Sequence, residues 1–136
     1  MIAVDVRRMV EEIASNFPVL VKIEEDCKAL ADNGLRNVIE NIFQNVIQHG
    51  KTSKIDVNIR KYGNRCKIRT ADYGVGTPDE IKDKIFEYGF KYGESAGSGI
   101  GLYIVRMLVK RYDNRVRVED NEKGGSVFII KLTVAE

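Results

Sequence analysis

The sequence predicts an α+β fold, in which amphipathic helices pack against a β-sheet. Apolar residues recur at helical spacing in three segments, and in several others they alternate with polar residues at the period of a strand. The chain has 136 residues, of which 43% are hydrophobic and 31% charged, which suits one domain with a single core. A net charge of +2 indicates neither nucleic acid nor a membrane as partner.

The first half of the chain predicts two helices separated by short strands. Apolar spacing predicts a helix over about the first fifteen residues, which Pro18 ends because proline cannot continue the hydrogen-bond ladder. Residues 19–23 and 27–31 are candidate strands. Residues 32–34, Asp-Asn-Gly, form a turn that can cap the next helix. That helix runs over 35–49 and carries an apolar stripe facing the sheet.

The second half begins with a predicted hairpin, in which residues 55–60 and 66–71 alternate around a turn at 62–64. Pro78 at a first helical position predicts a helix over 78–88. Residues 89–98 are rich in glycine and are expected to be mobile. A helix over 100–112, with Asn114 as a left-handed cap residue, leads to strands near 116–118 and 127–134. No repeat or domain boundary interrupts the chain.

Cysteines and basic residues receive ordinary structural interpretations. Cys27 and Cys66 lack metal-type spacing, and without a secretion signal in the sequence they are predicted to be reduced, packed thiols. Basic residues are dense between positions 51 and 69, where most of them alternate with apolar residues. They are predicted to form a solvated outer face of the sheet: Lys51, Lys54, Arg60, Lys61, Arg65, Lys67 and Arg69. No apolar run is long enough to span a membrane.

The most informative stretch lies between residues 72 and 102, where two glycine clusters bracket a charged segment. The first reads Asp-Tyr-Gly-Val-Gly from Asp72, and the second reads Gly-Ser-Gly-Ile-Gly-Leu from Gly97 and opens a helix. A glycine-rich turn at a helix N-terminus aims N–H groups outward and suits phosphate. Strand alternation points Asp72 inward, where its carboxylate needs a partner, either a backbone N–H of the turn or a ligand amine.

A third element is the helix over 35–49. Asn41, Asn45 and His49 recur every four residues and so share one edge of this helix. Asparagine is a mediocre helix former, which leaves two interpretations. The amides are exposed or capping groups, or their oxygen atoms are hard ligands for Mg²⁺, which takes few protein ligands besides substrate phosphates.

In this order the three elements resemble the GHKL ATPase superfamily, and more narrowly the catalytic ATP-binding domain of sensor histidine kinases. Residues 41–45 resemble the N box, 72–76 the first glycine box, 85–90 the F box and 97–102 the second glycine box. The resemblance covers nearly the whole chain as one domain, residues 1–136. It implies a Bergerat fold, a two-layer α/β sandwich whose mixed sheet has helices on one face, with ATP between the helices and a lid.

The resemblance also implies site roles. Asn45 would bind Mg²⁺ with help from Asn41, Asp72 would accept a hydrogen bond from the adenine amine, and His49 would pack beside the adenine. Gly76 would let the backbone approach the purine. The remaining implied nucleotide contacts are Gln48, Gly74, Phe86, Lys91, Gly97, Gly99, Ile100, Gly101 and Leu102. Gln48 stands where many such kinases have a basic residue that reaches the phosphates, so Lys91 or another residue of the lid is expected to substitute for it.

The implied function is ATP-dependent phosphorylation of a histidine in two-component signalling. Because His49 is the only histidine and falls in the nucleotide helix, the chain resembles the catalytic half of the enzyme without its phosphoacceptor domain. The expected partners are a histidine phosphoacceptor and dimerisation domain and a downstream response regulator, and the expected location is the cytoplasm, as a domain alone or within a larger sensor. The alternatives are a stand-alone serine kinase of the anti-sigma-factor type, a hydrolysing ATPase, and an interaction module with an inactive pocket, which is disfavoured because all the boxes are intact. The ATPase is disfavoured because Asn41 stands where its general-base Glu belongs.

Overall fold

The computed structural model describes residues 1–48, 51–91 and 99–135. Its elements, in chain order, are β1 (Ile2–Asp5), α1 (Val6–Ala14), β2 (Leu20–Glu24), β3 (Lys28–Ala31), α2 (Gly34–Gln48), β4 (Lys54–Tyr62), β5 (Arg65–Asp72), α3 (Gly101–Arg111), β6 (Val116–Asp120) and β7 (Ser126–Thr133). A single 3₁₀ turn, Asp79–Ile81, lies between β5 and α3. No helix within these residues is long and apolar enough to cross a membrane.

Five strands form a mixed sheet in the order β2-β4-β5-β7-β6, in which only the β2–β4 pair is parallel. The inward residues of β4 and β5 alternate with mostly polar neighbours, and together with the inward residues of β7 they pack against the apolar stripes of the helices in one core. The result is an α/β sandwich with its helices on one face, as predicted. The fully buried side chains at its centre include Phe43 of α2 and Phe128 of β7.

The opposite face of the sheet carries most of the predicted basic residues, although the register pairs Lys61 with the inward Cys66 and Lys51 precedes β4. Arg60 and Arg69 are exposed there and Lys67 is half-buried, and the register places Lys67 directly between Arg60 and Lys131 on the neighbouring strands. Val127 and Ile129 alternate with the inward Phe128 and are each only 2% exposed. The long basic side chains therefore surround a small apolar floor rather than a fully solvated surface.

The N-terminal helix is shorter than predicted. Residues 2–5 form β1, which pairs antiparallel with β3 in a separate two-stranded sheet. Asp5 then caps α1 by accepting the Arg8 N–H through its side chain. The helical spacing of Ile2 and Val6 concealed this strand because β1 depends on its distant partner, and a strand of four residues gives almost no periodic signal.

The predicted helix over 78–88 is also wrong. Beyond the 3₁₀ turn the chain continues as hydrogen-bonded turns, such as Lys84 N–H to the Ile81 carbonyl at 2.8 Å. Tertiary contacts fix this segment instead. Phe86 is buried edge-to-face against Phe128, and Lys82 Nζ bridges Asp79 and Asp120. Burial of side chains at these irregular positions outweighs the local helical preference.

Two smaller predictions need correction. Asp113, with φ of 58°, is the left-handed residue after α3. The N–H of Asn114 bonds to the Val109 carbonyl and that of Asp113 to the Lys110 carbonyl, which completes a Schellman motif. Asn114 is therefore one residue beyond the left-handed position. Cys27 and Cys66 form a disulfide in the structure, with Cα atoms 6.2 Å apart, because folding brings the start of β3 beside β5.

Candidate nucleotide site

Asp72 ends β5 on the inner face of the sheet, as the strand alternation predicts, and it is only 2% exposed. Its Oδ1 accepts two backbone hydrogen bonds, from Gly74 N–H at 3.0 Å and from Ser126 N–H at 3.1 Å. In the part of the chain that the structure describes, both donors to this carboxylate use Oδ1 and neither uses Oδ2. Burial raises the pKa of Asp72, and the two N–H groups partly oppose that rise.

The β6–β7 turn closes around Asp72. A Cβ built on Gly125 would overlap both the carbonyl oxygen and Oδ1 of Asp72, and Gly125 has φ of 93°. Only glycine satisfies both the close approach and the left-handed backbone. Asn121 donates from Nδ2 to the Asp72 carbonyl at 2.8 Å. The sequence predicted only a turn here, although the paired glycines before β7 were a signal of close packing.

Gly76 and its neighbours extend the packing around Asp72 and the β6–β7 turn. Gly76 has φ of 78°, and a Cβ on it would lie 3.4 Å from the Gly125 carbonyl oxygen. The next residue, Thr77, is buried, and its Oγ1 lies 2.9 Å from Oγ of Ser126. The first glycine cluster therefore packs onto the β6–β7 turn. Thr77 and Ser126 are polar site residues that sequence reasoning missed, because neither belongs to a recognisable pattern.

The second glycine cluster meets α2. Asn41 donates from Nδ2 to the Asn37 carbonyl at 2.8 Å, which directs its Oδ1 towards the first residue of α3. A Cβ on Gly101 would lie 3.1 Å from that oxygen. Asn45 lies one turn further along α2 and is half-buried, whereas Gln48 is exposed. The structure thus brings Asn41 and Gly101, 60 positions apart in sequence, into one cluster.

The N-terminus of α3 has no side-chain cap from Ile100. The first turn of a helix leaves N–H groups without intrahelical partners, and these groups attract anions. Leu102, in this first turn, is buried. Gly99 has φ of 74°, and a Cβ there would lie 2.7 Å from the Gly89 carbonyl carbon. Gly89 N–H also bonds to the Gly99 carbonyl at 2.9 Å, so these two glycines join the ends of the segment between them.

The remaining predicted contacts differ in their setting. Phe86 is buried in the core, and Lys91 is exposed. His49 and Gly97 lie outside the described residues, as does most of the segment expected to be mobile. Asn41 in the middle of α2 forms one cluster with the N-terminus of α3, and Asp72 at the end of β5 forms another with the β6–β7 turn.

Comparison with known proteins agrees with this arrangement. Residues 31–136 match the model of the family described as histidine kinase-, DNA gyrase B-, and HSP90-like ATPase. The chain belongs to this family. The description supports ATP as the ligand of the fold, and the match covers all four sequence boxes.

Relatives and solved structures narrow the comparison to sensor kinases. The sensor histidine kinase DpiB of Escherichia coli (strain K12) is 33% identical over 99 residues, which is 71% of this chain and 18% of DpiB. The sensor protein CitS of Halalkalibacterium halodurans is 26% identical over 122 residues, 89% of this chain and 23% of CitS. The chain therefore spans about a fifth of the length of these relatives.

The fold also matches solved structures. A mycobacterial sensor histidine kinase, MprB, superposes with a TM-score of 0.86 at 20% identity, over 98% of this chain and 97% of that one. The catalytic domain of histidine kinase ThkA superposes with a TM-score of 0.83 at 23% identity, over the full length of both chains. These similarities confirm the predicted fold class.

Proposed function

We propose that this chain is the ATP-binding catalytic domain of a sensor histidine kinase. It binds ATP with Mg²⁺ and donates the γ-phosphoryl group to a histidine on a separate phosphoacceptor domain. Family membership and the sensor-kinase relatives support this function over the serine-kinase alternative. A downstream response regulator would then receive the phosphoryl group, and the domain would work in the cytoplasm, where ATP is available.

The observation that carries the proposal is the buried carboxylate of Asp72. One oxygen is held by two backbone N–H groups, and the other receives no hydrogen bond from the described residues. That oxygen is left for a ligand, and the exocyclic amine of adenine would donate to it. Gly125 packs its backbone directly against Asp72, and Gly76, which packs on Gly125, would let a flat purine approach the backbone.

The phosphate end would lie at α3. The N–H groups of its first turn would bind phosphate oxygens, and the exposed Lys91 would add positive charge. Asn41 presents a fixed amide oxygen beside Gly101, which fits a hard cation that also takes phosphate oxygens and water. Asn45 and Asn41 would hold Mg²⁺, whose charge would offset that of the phosphates. His49 and Gly97 remain predicted contacts.

In the proposed reaction, a neutral imidazole nitrogen of the acceptor histidine attacks the γ-phosphorus. A nitrogen–phosphorus bond forms as the bond from the γ-phosphorus to the β,γ-bridging oxygen breaks, and ADP leaves with that electron pair. The domain contributes positioning and charge compensation, which is most of what phosphoryl transfer requires. The asparagines and the α3 N–H groups would hold the triphosphate while Asp72 fixes the adenine at the other end.

The test is phosphotransfer from labelled ATP. The isolated chain should acquire no acid-labile label, because its single histidine, His49, is predicted to lie beside the adenine. A separate helical domain that carries the acceptor histidine, taken from the same kinase gene, should become labelled in an acid-labile manner. Acid-stable label on serine would refute histidine transfer. Calorimetry with and without EDTA tests the metal, and equal ATP affinity in both conditions would exclude Asn45 and Asn41 as ligands.

A further inference from the structure

We infer that Asn121 is a positioning residue for Asp72, and that through Asp72 it determines how strongly the site selects adenine. Asn121 lies in the β6–β7 turn and is half-buried. It would not touch the nucleotide under this inference, but it fixes the residue that does. The inference rests on the proposed function, because it assigns Asp72 to the adenine amine.

The side chain of Asn121 connects the β6–β7 turn to the end of β5. Its Nδ2 donates to the Asp72 carbonyl at 2.8 Å, and its Oδ1 accepts the Lys123 N–H at 3.2 Å. Its backbone also organises the turn, because Asn121 N–H bonds to the Gly125 carbonyl at 3.0 Å and Gly124 N–H bonds back to the Asn121 carbonyl at 2.9 Å. One residue therefore shapes the turn and fastens it to β5.

This link matters because the ladder between β5 and β7 stops one residue short of the site. The last Cα pair is Ala71 with Val127. At the next position Ser126 N–H turns to the carboxylate of Asp72, and the carbonyl of Asp72 is taken by Asn121 instead. Asn121 of the turn thus holds the carbonyl of Asp72, and Ser126 at the start of β7 holds its carboxylate, each by one hydrogen bond.

Loss of the Asn121 side-chain amide would change the orientation of the Asp72 carboxylate and not its charge. The Asp72 carbonyl would lose its donor inside the closed turn, and the peptide at the end of β5 would no longer be fixed on the β7 side. Oδ1 would stay hydrogen-bonded to the N–H groups of Gly74 and Ser126, but the plane of the carboxylate would rotate. Oδ2 would then no longer be aligned with the exocyclic amine of adenine. Hydrogen bonds weaken steeply with misalignment, whereas contacts to the phosphates should be unaffected.

The experiment compares ATP with purine riboside triphosphate, which lacks only the exocyclic amine, by calorimetry on the full 136-residue chain. Asn121→Ala and Asn121→Leu should each bind ATP roughly five- to tenfold more weakly than the unmodified chain, the equivalent of one misaligned hydrogen bond. Both variants should bind purine riboside triphosphate as the unmodified chain does. Leucine nearly preserves the volume of asparagine, so it separates loss of the donor from loss of packing.

Glu122→Ala is the matched control, because Glu122 lies in the same turn and is exposed, and it should change neither affinity. Equal loss of both ligands in the Asn121 variants would make Asn121 a general structural residue and overturn the inference. Unchanged ATP affinity would overturn it as well. If the unmodified chain binds both ligands equally well, the adenine role of Asp72 fails, and this inference fails with it. If it binds neither, the proposed function itself fails.

Discussion

Asp72 and Asp32 each lie where a strand gives way to a turn, and each has a glycine packed against its carboxylate, yet their oxygen atoms are occupied differently. Asp32 Oδ1 accepts the Tyr112 hydroxyl at 2.5 Å and the Gly34 N–H at 2.9 Å, and its Oδ2 accepts Arg111 Nη2 at 3.0 Å. Asp72 is more deeply buried, but the described residues donate to only one of its oxygens.

The pKa shifts of the two carboxyl groups have opposite signs. The Tyr112 hydroxyl, followed by the Gly34 N–H, lowers the pKa of Asp32, whereas burial raises the pKa of Asp72. Asp32 joins the start of α2 to the end of α3 and is satisfied within the protein. Both donors to Asp72 from the described residues use Oδ1, which leaves Oδ2 for the proposed ligand contact. Asp32 has protein donors on both oxygens, as a structural carboxylate does, whereas Asp72 leaves Oδ2 for the proposed contact with the adenine amine.

The largest expected effect comes from filling the space beside Asp72. Gly125→Ala places a methyl group against two Asp72 oxygens and forces alanine into positive φ. We expect a loss of about 2–4 kcal/mol in the free energy of unfolding, together with loss of ATP binding, measured by urea denaturation and calorimetry. Gly124→Ala is the control, because Gly124 has φ of 96° and open space around it. An equal loss in both variants would show that backbone strain alone explains the result.

The second prediction compares the two aspartates by their effect on the preference for adenine. Asp72→Ala should abolish the preference for ATP over GTP, because the amine of adenine would lose its acceptor at a cost of about 1–3 kcal/mol. Asp32→Ala, which removes a carboxylate of similar local geometry, should leave that preference unchanged. Competition binding measures both. A preserved preference in Asp72→Ala would make Asp72 a residue of the turn alone.

The third prediction uses pH. Asp32 has a lowered pKa in the folded state, so its contribution to stability is present above the unfolded-state pKa of about 4 and is lost as pH falls through the folded value. Asp32→Asn should therefore lower the free energy of unfolding by about 1–2 kcal/mol at pH 7, and the deficit should shrink in acid. Arg111 and Tyr112 would lose their charged acceptor in this variant.

Asp72→Asn should change the free energy of unfolding in the opposite direction over the same pH range. Its raised folded pKa means that stability is greatest below the unfolded pKa of about 4 and is lost as pH rises through the folded value. Replacing the buried charge should stabilise the free protein at pH 7 by on the order of 1 kcal/mol, with the gain vanishing in acid. Urea unfolding of both variants from pH 3 to 7 measures the two slopes, and slopes of the same sign would contradict the distinction between the carboxylates.

The sequence predicts that Asp72 faces inward and that α2 and α3 are helices, but it does not predict the groups across the sheet that hydrogen-bond to Asp72. The alternation of β5 predicts that Asp72 is inward, and helical periodicity predicts α2 and α3, because these signals are local and repeated. The partners of Asp72 come from Asn121 and Ser126, about 50 positions away, and no local pattern marks them. The partner strand of β1 and the irregular segment around Phe86 were missed for the same reason, since distant contacts decide both.

The smallest expected effect concerns the glycine beside Asp32. A Cβ on Gly34 would lie 2.9 Å from both Asp32 Oδ1 and the Tyr112 hydroxyl, and 3.2 Å from Leu108 Cδ2. These atoms are ends of side chains, which can shift, and Gly34 is the first residue of α2, where alanine gains some helix propensity. We expect Gly34→Ala to cost less than about 1 kcal/mol in unfolding free energy.

A double-mutant cycle separates this contact from the one beside Asp72. In a Tyr112→Phe background the hydroxyl is absent, so Gly34→Ala should cost less than it does alone. In an Asp72→Ala background Gly125→Ala should remain costly, because the backbone carbonyl of residue 72 still occupies the space. Thermal unfolding of the four variants in each cycle measures both couplings. If Gly125→Ala cost no stability in the Asp72→Ala background, the backbone contact between Gly125 and residue 72 would not be what holds the β6–β7 turn against β5.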